Sequence, residues 1–402
     1  MDAGKTIESC AFDKLFTKSV PHILEKVFFS LDYESYKICL EVSKTWNELL
    51  TSQSFQKKGS LVFHQGVLDD EKKLVEASGN GTATEVQRLL SSGLVDVNYI
   101  SVCYKTLGQT PLCMAAKMCN NDVVKILIGR GADSKQEDER GWTALHWSAS
   151  NGNKVVLQLL LNSGSDPKKA DLWGDTPLHL AVRNGNKDVV KITLNSGTDP
   201  KIVNNNGDTP LHLAACKGHT DVAKLLLDRG AEPNWANSWG CTPLGCAAIY
   251  GHIEIVQLLV ECGADIDTKL YQSGNTLLHL AANRGRVEVV KFLLNKGAEP
   301  DAVNKGGMTS VYLAARQGHQ KVAQLILDAG ADPNKAIECG STPLHQAERW
   351  GYKKLAQLLQ NAGANPQLEN LHGRTALQEA ETRAQNKKKH RVVRECGCGS
   401  RI

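Results

Sequence analysis

The chain of 402 residues has no apolar run approaching the ~18 residues needed to cross a bilayer, and its first twenty residues lack the basic start and apolar block of a secretory signal. Both absences predict a cytoplasmic or nuclear protein without a transmembrane segment. The twelve cysteines are scattered from Cys10 to Cys398, with neither the paired CxxC units of a zinc ribbon nor the even framework of a disulfide scaffold. They are expected to be reduced thiols, and the glycosylation sequon at Asn80–Thr82 a chance match. No phosphate-binding glycine loop, HExxH helix or GxSxG elbow is present. An enzyme is therefore not expected, and no cofactor or metal is indicated.

Charge of one sign is also scarce. The net charge is +4, and the last seventeen residues alone carry Lys387, Lys388, Lys389, Arg391, Arg394 and Arg401 against Glu395, which leaves residues 1–385 near −1. Phosphate binding needs a concentrated basic face, so a nucleic-acid role spread over the whole chain is disfavoured. What the chain has in quantity is apolar residues, 41% beside 22% charged, the proportions of a folded soluble protein.

It also has a period. The phrase NGDTPLHLAACKGH at Asn206–His219 returns in variant form, placing threonine at Thr110, Thr143, Thr176, Thr209, Thr242, Thr276, Thr309, Thr342 and Thr375. Each step is 33 residues except that from Thr242 to Thr276, which is 34. Glycines two places before the threonine keep the same register throughout, and glycines nine places after it do so from Gly152 to Gly351, while Cys119 stands at that second place in the unit of Thr110 and leaves its turn open.

Each part of the phrase has a physical reason. Thr209 followed by Pro210 is an N-cap hydroxyl ahead of a first helical residue whose missing N–H costs nothing there. Leu211, Leu213, Ala214 and Ala215 supply an apolar side whose small members let another helix come close. Gly218 suits a left-handed stop, a second helix is expected over Asp221–Asp228 with Val222, Ala223, Leu225, Leu226 and Leu227 inward, and the turn-rich AEPNWANSWG forms a finger leading to the next threonine. One such unit is too small to bury its own apolar side, so the units must stack.

The period, with GDTPLHLA at Gly174–Ala181 and Gly207–Ala214, GNTLLHLA at Gly274–Ala281 and GSTPLHQA at Gly340–Ala347, resembles the ankyrin repeat over about residues 70–385. The resemblance implies an all-α solenoid of about ten repeats, with degenerate caps at Leu74–Asn98 and after Gly373. It also implies a partner protein held along the side formed by finger tips and first helices. The finger between Gly93 and Thr110 carries about five extra residues against the 33-residue plan.

The histidines follow the register: His146, His179, His212, His279 and His345 share one place, and His219, His252 and His319 another. Catalysis needs one convergent site rather than one group per repeat, so a structural role is expected. The resemblance implies that the first set bonds backbone and bridges neighbours. Trp142, Trp173 and Trp239 fall at finger tips and Trp235 in the finger before Trp239; they are candidate anchors for a target protein, or they pack between fingers. Trp147, at an apolar place of the phrase, is expected in the core.

Residues 1–60 do not share the period. From Val20 the chain reads VPHILEKVFFSLDYESYKICLEVSKTWNELL, with Pro21, Ile23, Leu24, Val27, Phe28 and Leu31 at helical spacing and a second cluster ending at Trp46. The outline resembles the F-box, with three departures: the proline is one residue too close, the acidic residue before Ile23 is missing, and Ser43 stands for cysteine. The resemblance implies docking of Pro21, Ile23, Leu24, Val27, Phe28 and Leu31 on the small adaptor subunit of an SCF-type ubiquitin ligase, with a cullin beyond it. The alternative is that these helices only cap the array, making the protein a scaffold or a membrane or cytoskeletal adaptor. The tail, 386–402, has no apolar period and is expected to be a flexible basic segment. Membrane contact through Cys396 and Cys398 is the less favoured alternative.

Overall fold

The computed structural model describes residues 60–101, 108–270 and 273–382. The F-box-like residues Pro21, Ile23, Leu24, Val27, Phe28 and Leu31, and the basic tail, lie outside the described residues. The chain divides into two units between Lys73 and Leu74. The second holds the repeats.

Among the described residues there are eighteen α-helices, a further helical stretch at 376–382, and no strand beyond a single antiparallel bridge between Lys269 and Thr276. The all-helical expectation is met. The first helix, Ser60–Asn80, is followed by Ala83–Ser91 and then by eight helix pairs, of which Pro210–Lys217 with Thr220–Asp228 is representative. Helices start one residue after the repeated threonine, as the phrase predicts; the second helix of that pair begins at Thr220, one residue ahead of the expected Asp221.

Within a repeat the two helices pack on each other, and first helices pack on the first helices of neighbouring repeats, second on second. Leu211, Ala214 and Ala215 of one helix and Ala223 and Leu226 of the other are fully buried, Val222 nearly so. Such layers join into one apolar core running from Leu74 to Ala376. Alanine at two adjacent core places in most first helices lets neighbouring axes approach to the ~8–10 Å of close helix packing. Bulk is left to leucine and valine, so each repeat closes its core only with its neighbours' side chains.

Among the described residues six of the fingers are built by an acid or amide five places before the threonine; before Thr342 the place is held by Ile337, whose N–H still bonds Ser341 C=O. Asn204 Oδ1 accepts from the N–H groups of Asn206 and Asp208, both at 3.0 Å, and Asn204 N–H donates to Asp208 C=O at 3.1 Å. Asp138, Asp171, Asn237, Asn304 and Asn370 repeat the side-chain arrangement. In the 34-residue unit the corresponding N–H, of Leu270, reaches the carbonyl of Asn275, five residues on rather than four. The extra residue is thus absorbed at the finger tip, and the register of the helices is undisturbed. The long first finger closes in the same manner, with Ser101 N–H bonded to Gln109 C=O and Gly108 N–H to Ser101 C=O around residues 102–107.

Cys119 answers the question left by the sequence. Its φ is +62°, where the other repeats place glycine, and Asn120 N–H still bonds Ala115 C=O at 2.9 Å. The turn is kept, with a side chain in the left-handed region.

Candidate protein-binding face

The histidines of the first set are structural parts of the helix start. Nδ1 of His212 accepts from Thr209 N–H at 3.1 Å and lies 2.8 Å from Thr209 Oγ1, while that hydroxyl caps His212 N–H at 3.4 Å. A ring nitrogen that accepts a backbone N–H carries no proton, so Nε2 holds it and donates to Cys241 C=O of the next repeat at 3.0 Å. His179, His279 and His345 reach the carbonyls of Asp208, Met308 and Arg374 likewise. His146 keeps the box with Thr143, but its buried Nε2 has no partner within hydrogen-bonding distance. Burial pushes the pKa of His146, His179, His212 and His279 below the usual imidazole value. Neutral and buried, with both ring nitrogens of His179, His212 and His279 bonded to backbone, they are poorly placed for acid–base work.

The second set bridges the other way. His219, His252 and His319 each lie 3.2–3.3 Å through Nε2 from a carbonyl of the preceding repeat, those of Arg183, Cys216 and Asn283. Arg286 Nε does the same at Ile249 C=O, and Asn120 Nδ2 at Ser78 and Gly79. A Cβ added at Gly218 would come within 2.7 Å of the His252 ring, so the glycine's bare Cα is what admits the bridge.

Besides Gln378 in the last unit, three repeats depart from the plan of the first set, with Cys113, Gly245 and Tyr312 at the histidine place. At Gly245 a Cβ would lie 2.9 Å from the sulfur of Cys241, which occupies the vacated space. Cys241 and Cys246 have their sulfurs 3.8 Å apart, and the hydrogen bond between them lowers the pKa of the Cys241 thiol. Among the described residues no group of three His, Cys, Asp or Glu side chains is arranged to hold a metal ion.

Sequence models built on three ankyrin repeats match residues 74–171, 120–204, 156–237, 178–270 and 262–337, and a single-repeat model matches 339–371. The chain belongs to the ankyrin repeat family. Over 77 residues it is also 35% identical to the 2-5A-dependent ribonuclease of Mus musculus, a stretch of 19% of this chain and 10% of that protein. The chain thus spans about a tenth of that relative's length, a partial match within the repeats. Ankyrin repeat proteins are in general non-catalytic protein-interaction scaffolds, and the repeats imply a protein-binding role with protein partners.

In an ankyrin array the free surface carries the function. The four tryptophans singled out by the sequence part into two groups there. Trp173 is 55% exposed and Trp239 51%, at equivalent places two repeats apart, and Trp235 is 40% exposed in the finger before Trp239. Their fingers are stiff: Asn205 N–H donates to Trp173 C=O at 3.0 Å, Ser238 N–H to Asn206 C=O, and Asn237 Nδ2 to Asp208 Oδ1 at 2.7 Å. Trp142 is instead half-buried, its Nε1 donating to Asp171 of the next finger at 2.8 Å and its ring edge-on to Trp147 at 4.5 Å. For Trp142 the packed arrangement is the one observed, and for the other three the exposed one. Trp147, expected in the core, lies at its margin, bonded to Asp138 and covered by Lys117 at 4.8 Å.

Sequence reasoning missed two further aromatics. Tyr250 (51% exposed) and Trp350 (48%) both end a first helix, eight places after the threonine. The register places them together, but the neighbours at that place are polar, so only the exposure singles them out.

Proposed function

We propose that this protein is a non-catalytic adaptor whose ankyrin array holds a target protein against fingers and first helices, while residues 20–50 bind the adaptor subunit of an SCF-type ubiquitin ligase and, through it, a cullin. The observation that carries the first half is the pair Trp173 and Trp239, large apolar side chains held out to solvent on hydrogen-bonded fingers. Burying such a pair against a partner is among the strongest contributions a small contact makes, whereas leaving it in water gains nothing. The second half is supported by the sequence around Pro21, Ile23, Leu24, Val27, Phe28 and Leu31, and by the logic of joining a ligase-binding module to a target-binding one.

Two measurements test the halves separately. The adaptor subunit and cullin are expected to co-purify with the full-length protein and to be lost in a Pro21→Ala, Leu24→Ala double variant. Their absence, under conditions where a known F-box protein brings them down, removes the ubiquitin half and leaves a scaffold or a membrane or cytoskeletal adaptor. A target identified by crosslinking in cells is expected to lose at least about tenfold in affinity on Trp173→Ala with Trp239→Ala, with the far-UV circular dichroism unchanged. Unchanged affinity would take the face away from the tryptophans.

A further inference from the structure

The two helical faces of the array differ in charge. The eight second helices carry nine basic and eight acidic residues, and none has a basic residue in its last turn. The eight first helices carry Lys117, Arg183, Lys217, Arg316 and Arg349 in their last turns, with Arg284 at a C-cap, against the single acid Glu348. A cation is favoured at any helix C-terminus by the macrodipole. The second helices also end on cations, with Arg130, Arg229 and Lys296 at their C-caps, so what sets the first helices apart is the near absence of acids beside their cations.

Two of these cations reach back to the fingers. Arg183 pairs with Asp175 and Arg316 Nη1 lies 3.9 Å from Met308 Sδ, each a finger residue just before the helix. Lys117 covers Trp147 and Arg349 pairs with Glu379. Among the described residues Lys217, Arg284 and Arg316 have no carboxylate within ion-pair distance, and all three are exposed. In order along the array the exposed side chains run Trp173, Lys217, Trp239 with Tyr250, Arg284, Arg316, roughly one feature per repeat. Between Trp173 and Arg316 the fingers carry exposed Asp199, Glu232, Asp265, Asp267 and Glu299 in their first residues, Glu232 paired with Lys201, whereas the tip residues 205–207, 238–240 and 305–307 include no acid; Asp175 is buried against Arg183, and Asp208 accepts from Asn237.

We infer that this lane takes an extended acidic peptide segment of the target protein, with carboxylates over Lys217, Arg284 and Arg316 and two apolar side chains, about six residues apart, against Trp173 and Trp239. The spacing follows from geometry: first helices ~8–10 Å apart put the two tryptophans roughly 20 Å apart, and an extended chain rises ~3.3 Å per residue. A nucleic acid fits less well, since one cation per ~10 Å repeat is sparse beside one phosphate per ~3.4 Å of strand, and apolar rings alternate with the charges. Within this sequence neither flanking segment supplies the occupant: residues 1–59 carry eight charges of each sign, and residues 386–402 are basic. The inference rests on the protein-binding reading above and narrows it to one class of ligand.

The test is selection from a random peptide library, about twelve residues long to cover four repeats, on immobilised full-length protein. Selected peptides are expected to be net acidic with apolar residues about six apart. They should weaken at least about tenfold on Lys217→Glu, Arg284→Glu, Arg316→Glu, and several-fold as salt rises from about 0.05 to 0.5 M. The triple variant, whose thermal unfolding is expected to match the parent because all three positions are exposed, should select basic peptides instead. Neutral peptides that ignore the triple variant but are lost on Trp173→Ala with Trp239→Ala would overturn the acidic ligand and leave the protein-binding face standing. Selected peptides indifferent to both variants would overturn the ligand and the face together, and no selected peptide at all would do the same. Tighter binding of a single-stranded oligonucleotide than of any acidic peptide, abolished by the triple variant, would overturn it in favour of nucleic acid.

Discussion

At the scale of the residue, identical places in the repeat tolerate different side chains only where the backbone is held by something else. Cys119 adopts a left-handed φ of +62° because its neighbours' hydrogen bonds are those of every other turn in the array. A β-carbon in that region costs about 1–2 kcal/mol. Cys119→Gly is therefore expected to stabilise the protein by about 1 kcal/mol, less than the full strain because glycine gains freedom in the unfolded chain. A rise in the urea midpoint at constant slope is the measurement; an unchanged or lower midpoint would mean the strain is relieved by means other than backbone conformation. The tryptophans make the same point for function. Trp142 and Trp173 look alike as finger-tip aromatics, but Trp142 follows its glycine and reaches Asp171, whereas Trp173 precedes its glycine and faces solvent.

At the scale of the element, the helix start is a unit of threonine, its hydroxyl, and a histidine that serves two repeats. The last repeat shows the unit with one part exchanged: Thr375 N–H donates to Gln378 Oε1 at 2.9 Å. His212→Gln is thus expected to keep the cap of its own helix while losing the bond to Cys241 C=O, at a cost of about 1–3 kcal/mol for the orphaned carbonyl. The same substitution changes the pH dependence. Burial lowers the folded-state pKa of His146, His179, His212 and His279, so the unfolded chain takes up protons first as pH falls. Stability attributable to these rings is complete above about pH 6.5 and declines below it, by about 1.4 kcal/mol per pH unit for each ring until the folded pKa is reached. Urea midpoints measured from pH 7 to pH 5 are expected to fall more steeply for the parent than for His212→Gln, by the slope of one proton. Parallel profiles would mean that His212 is protonated in the fold.

At the scale of the whole array, the core is continuous, but each layer is shared only with adjacent repeats. Stability then behaves as a chain of local terms and nearest-neighbour interfaces rather than as one cooperative block. Leu244 is fully buried in a central repeat that also lacks the bridging histidine. Leu244→Ala is expected to cost about 3 kcal/mol locally and to split urea unfolding into two transitions, with hydrogen exchange accelerated first around Pro243–Glu261. A single transition shifted as a whole would show the repeats to be coupled more strongly than their shared core implies. The sorting of charge by face belongs to this scale too, since it appears only when first helices are compared with second helices along the array.

The sequence by itself determined the repeat, because its devices are local: a cap needs a hydroxyl at one place, a left-handed stop needs glycine at another, and a period of 33 reports both. It also placed Thr209, Pro210 and Gly218 in their roles and marked the histidines as parts of a scaffold. Where the extra residue of the 34-residue unit goes, which tryptophan is covered, and which lysines and arginines share a face were decided only by the tertiary structure. Those outcomes depend on distances between residues about thirty apart in the chain. The net charge of residues 1–385, near −1, does not show that the first helices carry five basic residues against one acid while the second helices carry nine against eight, because composition adds charges that stacking sorts by face.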